Sequence, residues 1–329
     1  ESLVLDLKWP EGREVLRRLL SRADVFVQNL APGAARRLGF GATELREERP
    51  ELITCSISGY GESGPYRDKK AYDLLVQCET GVVSVTGTPE TPSKVGISVA
   101  DIAAGMYAYS GILTALFRRE RTGEGAALEV SLFEALAEWM GYPLYYTLYG
   151  GEQPPRTGAS HAAIAPYGPY RCGDGGVVFL GIQNEREWER FCSEVLGRPA
   201  LADDPRFADN PSRVRNRRAL GEEIEAVFGG LSSGEVEERL EASGIANARL
   251  RDVAGLIGHP QLEARDRWRE VGSEAGPLRA LLPPVLFGEE PVMGPIPEAG
   301  EHTEAILEEL GYGPREIEGL VRGLRGGSS

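Results

Sequence analysis

Apolar residues along the first 150 positions alternate between the spacing of a strand and the spacing of a helix. Short apolar runs bounded by turn residues predict strands over 3–7, 25–27, 52–58, 95–99 and 127–130. Apolar residues recurring every three or four positions predict helices over 11–22, 42–48, 72–83, 102–117 and 132–140. Strands joined through helices pair in parallel, so this order predicts an α/β fold with a parallel sheet.

The pattern changes after Leu148, where glycine and proline interrupt the apolar spacing. A strand is predicted over 177–182, and Ser232 with Glu235 forms a capping box that predicts a helix start. Residues 281–297 are rich in proline and are predicted to be extended. Further helices are predicted over 185–196, 215–228, 232–243, 253–265, 302–310 and 314–324. The 329 residues are enough for two domains.

Asp101 stands where the predicted strand over 95–99 passes into the helix over 102–117. Open α/β folds present catalytic groups at such junctions. Aspartate is also a favoured helix N-cap, because its carboxylate accepts the unpaired N–H groups of the first turn. The neighbouring residues leave both roles open, and the two roles are compatible.

The net charge of −14 narrows the range of partners. An acidic surface repels nucleic acid and anionic lipid, and no uninterrupted apolar run reaches the length of a membrane span, so neither partner is expected. Four well-separated cysteines and three histidines predict neither a disulfide framework nor a metal site, which favours a cytoplasmic protein. Lysine is rare in this chain, yet Lys69 and Lys70 are adjacent.

Gly59, Gly61 and Gly64 form the pattern G-x-G-x-x-G directly after a predicted strand. A dinucleotide site needs the last glycine to open a helix whose N-terminus receives the pyrophosphate. Here Pro65 follows and begins a polar segment. The glycines are therefore interpreted as a tight turn or as a close backbone approach to a ligand.

Seven segments, taken together and in order, resemble a known family. They are LDLKWPEGR (5–13), VQNLAPGAARRLGF (27–40), SISGYGESGPYRD (56–68), KAYD (70–73), VADIAAG (99–105), RTGEGAALEVSLFEA (121–135) and GEHTEAILEELGY (300–312). They resemble the family III CoA-transferases of the CaiB/BaiF type. The resemblance implies a Rossmann-like large domain over 1–150, a connector and smaller α+β domain over 151–284, and a C-terminal segment over 285–329 that returns to the large domain. It also implies an interlocked homodimer.

The resemblance implies functional residues as well. Asp101 falls at the position of the family's nucleophile, and Gly59, Gly61 and His161 are placed in substrate loops. Contacts to coenzyme A are implied for Leu5, Asp6, Leu7, Lys8, Asn29, Leu30, Ala31, Arg37, Lys70, Ala71, Tyr72 and Asp73. Neither a metal nor a permanently bound cofactor is implied. The CoA thioester is a substrate, and a carboxylic acid is its acceptor.

The implied chemistry needs only a carboxylate nucleophile. This carboxylate attacks the thioester to form a mixed anhydride and CoA thiolate. The thiolate then attacks the anhydride, which forms an aspartyl-CoA thioester and releases the donor acid. The acceptor acid repeats these steps in reverse. A helix N-terminus is expected to keep Asp101 ionised.

Two other functions fit parts of this pattern. Racemases of the same fold carry a histidine at the position of Tyr72, where it moves a proton together with the aspartate. A phenol is a far weaker acid than an imidazolium, so Tyr72 is a poor replacement and favours CoA transfer. A non-catalytic CoA-binding protein is the other alternative, and the presence of Asp101 argues against it.

The substrate class is also suggested by resemblance. Residues 158–188 resemble members that act on C4–C5 dicarboxylates such as succinate, itaconate, mesaconate or citramalate. The glycine-rich loop of formyl-CoA:oxalate transferases is not recognisable. Members of the family begin roughly 70 residues before the position of Glu1, so a further strand and helix of the large domain are expected upstream.

Overall fold

A three-stranded parallel sheet organises the first part of the chain. The structure, a computed structural model, describes residues 1–288 and 292–326. The strands are β1 (Val25–Gln28), β2 (Ile53–Ser58) and β3 (Ala127–Ser131), in the order β1-β2-β3 with both pairs parallel. The predicted mixed α/β fold with a parallel sheet is therefore confirmed.

Eight helices accompany these strands and largely follow the apolar spacing. They are α1 (Pro10–Leu20), α2 (Ala34–Arg37), α3 (Ala42–Glu48), α4 (Asp73–Glu79), α5 (Val82–Val85), α6 (Val99–Thr122), α7 (Leu132–Trp139) and α8 (Gly141–Gly150). Helix α1 begins at a proline, which suits the first helical position because that residue needs no N–H partner. Helix α6 ends at Thr122, and its C-cap residue Gly123 adopts φ +73°.

Two predicted strands are wrong. Residues 3–7, within the described chain, are not a strand, and the side chains of Leu3 and Leu5 instead pack against a core cluster formed by α1 and the C-terminal helices. Residues 95–98 are not a strand either. The buried side chain of Gln77 accepts a hydrogen bond from the Val95 N–H (2.9 Å) and donates one to the Ile97 carbonyl (3.5 Å). The Gln77 side chain thus binds the backbone N–H and carbonyl groups that a neighbouring strand would otherwise bind.

The next part of the chain is built on an antiparallel sheet of β4 (Tyr167–Arg171), β5 (Val177–Gly181) and β6 (Ala246–Arg249), in that order. Its helices are α9 (Glu185–Arg190), continued by a π-helical turn at Phe191–Val195, α10 (Asn210–Arg215), α11 (Arg217–Phe228) and α12 (Ser233–Ala242). The predicted capping box at Ser232 and Glu235 is present at the start of α12. Buried aromatic and aliphatic side chains form one core cluster between sheet and helices.

The C-terminal part contains short elements. They are α13 (Val253–Ile257), α14 (Pro260–Ala264), β7 (Trp268–Val271), β8 (Leu278–Leu281), α15 (Thr303–Glu309) and α16 (Pro314–Gly326). The helix predicted over 253–265 is thus two helices, because Pro260 starts a new one capped by the His259 side chain. Of the segment predicted to be extended, residues 289–291 lie outside the described residues.

The chain divides into two compact units. The first comprises Glu1–Val76, Ser98–Glu138 and the described part of Gly258–Ser329, and the second comprises Gln77–Ile97 and Trp139–Ile257. These units do not coincide with the ranges 1–150, 151–284 and 285–329, which stay a prediction about domains. Residues 289–291 and 327–329 of the last range lie outside the described residues.

Helix α6 is the one helix of the described residues that is long and apolar enough to cross a membrane by length and composition. A third of its most apolar window is buried, at 33%. The core helix of a soluble protein meets the same criterion, so the finding is weak evidence for a membrane span. The cytoplasmic location stays a prediction.

Candidate active site

A cleft of about 600 Å³ lies in the first unit, where the three parallel strands end. Residues 29–32 follow β1, Gly59 follows β2 and Leu132 follows β3, and all of them line the cleft. Ligands bind at this carboxyl edge in open α/β sheets, because the loops there converge. The predicted site residues that line the cleft are Asn29, Leu30, Ala31, Gly59, Lys70, Ala71, Tyr72 and Asp101.

Asp101 reaches the cleft from the first turn of α6, as the third residue of that helix. Ser98 is the N-cap residue, and its side chain makes no capping bond. The predicted N-cap role of Asp101 is therefore wrong, and so is the strand expected to lead into it. Within the described residues, the exposed Asp101 carboxylate makes no hydrogen bond and no ion pair.

Asp73 supplies the missing cap. Its Oδ1 accepts a hydrogen bond from the N–H of Ala100, the second residue of α6, over 2.7 Å. This N–H is one of the four at a helix start that have no partner within the helix. Asp73 is itself the first residue of α4, so the start of one helix is held by the start of another.

The pKa of Asp101 is raised above its ordinary value. Partial burial is the larger cause, since it disfavours the charged form, and the negative charge of Asp73 is the second. The helix N-terminus was expected to favour the anion, but the net shift is in the opposite direction. Asp101 is thus a more basic carboxylate than an ordinary exposed aspartate.

The glycine-rich loop packs directly against the KAYD segment. A Cβ on Gly59 would collide with the Cβ of Ala71, so only glycine allows this approach. Gly61 adopts φ +93°, and its N–H donates to Ser58 Oγ over 2.9 Å. No helix follows Gly64 before Asp73, which agrees with the interpretation of this segment as a loop.

Two lysines bring positive charge to the cleft of an otherwise acidic protein. Lys69 lies over two aromatic rings, with its Nζ 4.2 Å from the ring centroid of Tyr66 and 5.5 Å from that of Tyr60. Lys70 is exposed and forms no ion pair within the described part of the chain. The Lys70 ammonium group is therefore available to an anionic ligand, and Lys69 adds a second positive charge beside it.

A second depression of about 340 Å³ extends the cleft. The two share six lining residues, Leu30, Ala31, Pro32, Ile57, Ser58 and Asp68, so they form one continuous groove. Arg36, Arg37 and Arg67 line its far part. Arg36 and Arg37 form a basic pair in the sequence that suits phosphate, and the family resemblance implied a CoA contact for Arg37. Arg67 was not predicted.

Some predicted residues do not line this groove. Residues 5–8 lie apart from its lining: Leu5 packs against the cluster of α1, α15 and α16, and Asp6 Oδ1 accepts the Lys8 N–H over 2.8 Å. His161 belongs to the second unit, where its ring stacks on Tyr167 at 5.3 Å. No group of three or more metal-binding side chains occurs among residues 1–288 and 292–326.

The sequence matches the family model of CoA-transferase family III over residues 1–303. The chain therefore belongs to CoA-transferase family III, and it is a CoA-transferase. The family resemblance drawn from the seven segments is confirmed.

Individual relatives agree with this assignment. The chain is 32% identical over 313 residues to a succinate–glutarate CoA-transferase of Agrobacterium fabrum, covering 94% of this chain and 78% of the relative. It is 35% identical over 268 residues to an acetyl-CoA:oxalate CoA-transferase of Acetobacter aceti, covering 81% and 68%. A crystal structure of a CaiB/BaiF family protein from Brucella suis superposes with a TM-score of 0.81 at 32% identity, covering 94% and 81%.

Proposed function

We propose that this CoA-transferase moves CoA between an acyl-CoA thioester and a C4–C5 dicarboxylic acid, with Asp101 as the nucleophile. The observation that carries the proposal is the Asp101 carboxylate, exposed in the cleft and without a hydrogen-bond partner in the described chain. A carboxylate in this state has both oxygens available to attack a thioester. Its raised pKa makes it a stronger base, and basicity favours nucleophilic attack.

The groove divides into two parts that are lined by different kinds of side chain. Around Asp101 the lining is formed by small residues of α6, Ala104 and Gly105, which leave room for an acyl group. The distal part contains Arg36, Arg37 and Arg67, whose guanidinium groups suit the phosphates of coenzyme A. The thioester end of CoA then lies at Asp101 and the nucleotide end lies among the arginines.

The covalent sequence follows from this placement. Asp101 attacks the thioester carbon, forms a mixed anhydride and releases CoA thiolate. The thiolate attacks the aspartyl carbonyl, so that the donor acid leaves and an aspartyl-CoA thioester remains. The acceptor carboxylate attacks that thioester, which forms a second mixed anhydride and releases CoA thiolate again. The thiolate attacks the acceptor carbonyl of this anhydride, so that the acceptor's CoA thioester forms and the Asp101 carboxylate is regenerated.

The acid class is supported by the Agrobacterium relative, whose name gives succinate and glutarate, and by the resemblance of residues 158–188. The Acetobacter relative is named for oxalate, so the shorter diacid is the alternative to test. A competition between acids separates the two classes.

We expect succinyl-CoA to donate CoA to glutarate, mesaconate and citramalate at least about tenfold faster than to oxalate or acetate, because one well-placed cation for the distal carboxylate contributes about this factor. New thioesters are measured by mass spectrometry after mixing the full-length protein with succinyl-CoA and one acid at a time. Faster transfer to oxalate would contradict the C4–C5 assignment. Exchange of a substrate α-proton with solvent deuterium and no new thioester would instead indicate a racemase.

We further propose that the protein is a homodimer of the interlocked type and that α6 contributes to the contact between copies. Large apolar side chains form an exposed stripe along this helix at a spacing of three or four residues. They are Ile102, Met106, Tyr109, Leu113 and Phe117, each at least 46% exposed. A stripe of this kind is typical of an interface.

The full-length protein is expected to have the mass of a dimer by light scattering. The double variant Leu113→Glu and Phe117→Glu is expected to have a lower dimer fraction, because two charges would have to be buried in an apolar contact. Thr114→Glu is the matched control, since Thr114 is an exposed polar residue on the same helix. A monomeric mass for the wild-type protein would overturn the proposal.

A further inference from the structure

We propose that Asp73 is a positioning residue, whose carboxylate closes the start of α6 so that the Asp101 carboxylate stays free for the thioester. This inference deepens the proposed function and rests on it. It assigns Asp73 a role inside the protein, whereas the family resemblance implied only a contact to coenzyme A.

Two carboxylates, those of Asp73 and Asp101, lie near the start of α6, and only one of them caps the helix. Three side chains are close enough in sequence or space to bind the free N–H groups there: Ser98, Asp101 and Asp73. Only Asp73 does so, through the 2.7 Å hydrogen bond from the Ala100 N–H. Ala100 is fully buried, so this N–H has no access to water and needs a protein acceptor.

The cap determines whether the Asp101 carboxylate binds the N–H groups of its own helix or stays available to the thioester. An aspartate at the third position of a helix competes for the N–H groups of its own first turn. Bound to them, its oxygens would be partly neutralised and its basicity lowered. The ionised Asp73 carboxylate accepts the Ala100 N–H in a charge-assisted hydrogen bond, which is stronger than a neutral one, so this N–H is not available to Asp101. Among residues 1–288 and 292–326, the Asp101 carboxylate is then left without a hydrogen-bond partner.

Asp73 also acts through its charge. Its carboxylate is one of the two causes that raise the pKa of Asp101. The other charged or titratable side chains in the lining of the Asp101 cleft are Asp68, Lys69, Lys70 and Tyr72. Glu129 lies on β3, the strand that contacts α6, and is not part of this lining. All of these side chains remain in any Asp73 variant, so a change in kcat or in its pH dependence is caused by the loss of Asp73.

Two variants separate the cap from the charge. Asp73→Asn keeps an oxygen that accepts the Ala100 N–H but removes the negative charge. Asp73→Ala removes both. Asp209→Ala is the matched control: Asp209 caps α10 in the second unit by accepting the Ser212 N–H over 2.7 Å, and it is not part of the groove.

The experiment measures kcat and KM for succinyl-CoA and glutarate from low to neutral pH, together with thermal unfolding. We expect Asp73→Ala to lower kcat about 100-fold with little change in KM for succinyl-CoA, since a small displacement of the nucleophile has an effect of this size. Asp73→Asn is expected to retain most of kcat at neutral pH. Its activity should be lost at lower pH than in the wild type, because removing a nearby negative charge lowers the pKa of Asp101.

Each contrary result has a clear meaning. If Asp73→Ala raises KM for succinyl-CoA and leaves kcat unchanged, Asp73 binds substrate and the proposal is overturned. The proposal also fails if Asp73→Ala only lowers thermal stability, as Asp209→Ala is expected to do, or if Asp73→Asn keeps the wild-type pH profile. Failure of the proposed function is separate: the wild-type protein would then give no hydroxylamine-trapped adduct on the Asp101 peptide.

Discussion

Replacing Asp101 with asparagine is expected to abolish CoA transfer, with kcat reduced by at least about 10⁴-fold. The amide has nearly the shape of the carboxylate but no anionic oxygen to attack a thioester. The fold should be unaffected, because the Asp101 side chain makes no hydrogen bond within the described residues. Loss of activity at unchanged thermal stability therefore identifies a chemical role.

Asp68→Asn is the matched control for this variant. Asp68 lines the same cleft, and its carboxylate is paired with Arg67 over 3.0 Å, so the same chemical change is made close to the substrate but not at the nucleophile. Adduct formation on the Asp101 peptide is followed by mass spectrometry after mixing with succinyl-CoA. An Asp101→Asn protein that still transfers CoA at near wild-type rate would exclude the covalent mechanism at this residue.

Replacing Arg213 with methionine is expected to destabilise the second unit by about 3 kcal/mol or more. The Arg213 side chain is only 2% exposed and forms a two-bond ion pair with Glu185, both distances being 2.8 Å. Its guanidinium also donates to the carbonyls of Ala165 (3.0 Å) and Phe207 (3.1 Å) and lies over the ring of Trp188. Methionine fills the volume but leaves these acceptors without donors.

The expected fall in Tm of the transition that includes the second unit is roughly 10 °C. Arg218→Met in α11 is the control, because Arg218 is 94% exposed and its pair with Glu222 is solvated. The two variants are compared by calorimetry. An Arg213→Met protein that is as stable as the Arg218→Met protein would show that the contacts of the buried Arg213 guanidinium contribute no net stability.

Local patterns predicted most of the elements in the first unit, because strands and helices there have clear apolar periods. The errors have physical causes. Residues 95–98 alternate like a strand, but their backbone groups are bound by the Gln77 side chain, a long-range contact that no local pattern contains. Strands β4, β6, β7 and β8 were missed since each is only four or five residues long and carries glycine, proline or charged residues.

In the candidate site, too, local motifs predicted some residues, while a contact between distant parts of the chain could not be predicted. Asp101, Lys70 and Ala71 were predicted by motif resemblance, and the structure brings them to one cleft. The cap by Asp73 could not be predicted, because Asp73 and Ala100 are 27 positions apart and only the packing of α4 on the start of α6 joins them. The sequence showed one aspartate at a helix start and suggested a cap there. The fold uses a different aspartate for that purpose.

The first unit is assembled from stretches of chain that are far apart, and this has a consequence for its synthesis. Ser2 is hydrogen-bonded to His302, 300 positions later, and Val15 of α1 shares a core cluster with Leu307 of α15. At the usual rate of protein synthesis, about 15 to 60 s therefore pass between the synthesis of α1 and that of the helices that bury its apolar face. The stretch Trp139–Ile257 is complete well before that. In nascent chains of this protein, α1 thus lacks its partners α15 and α16 at a time when all residues of the second unit have already been made.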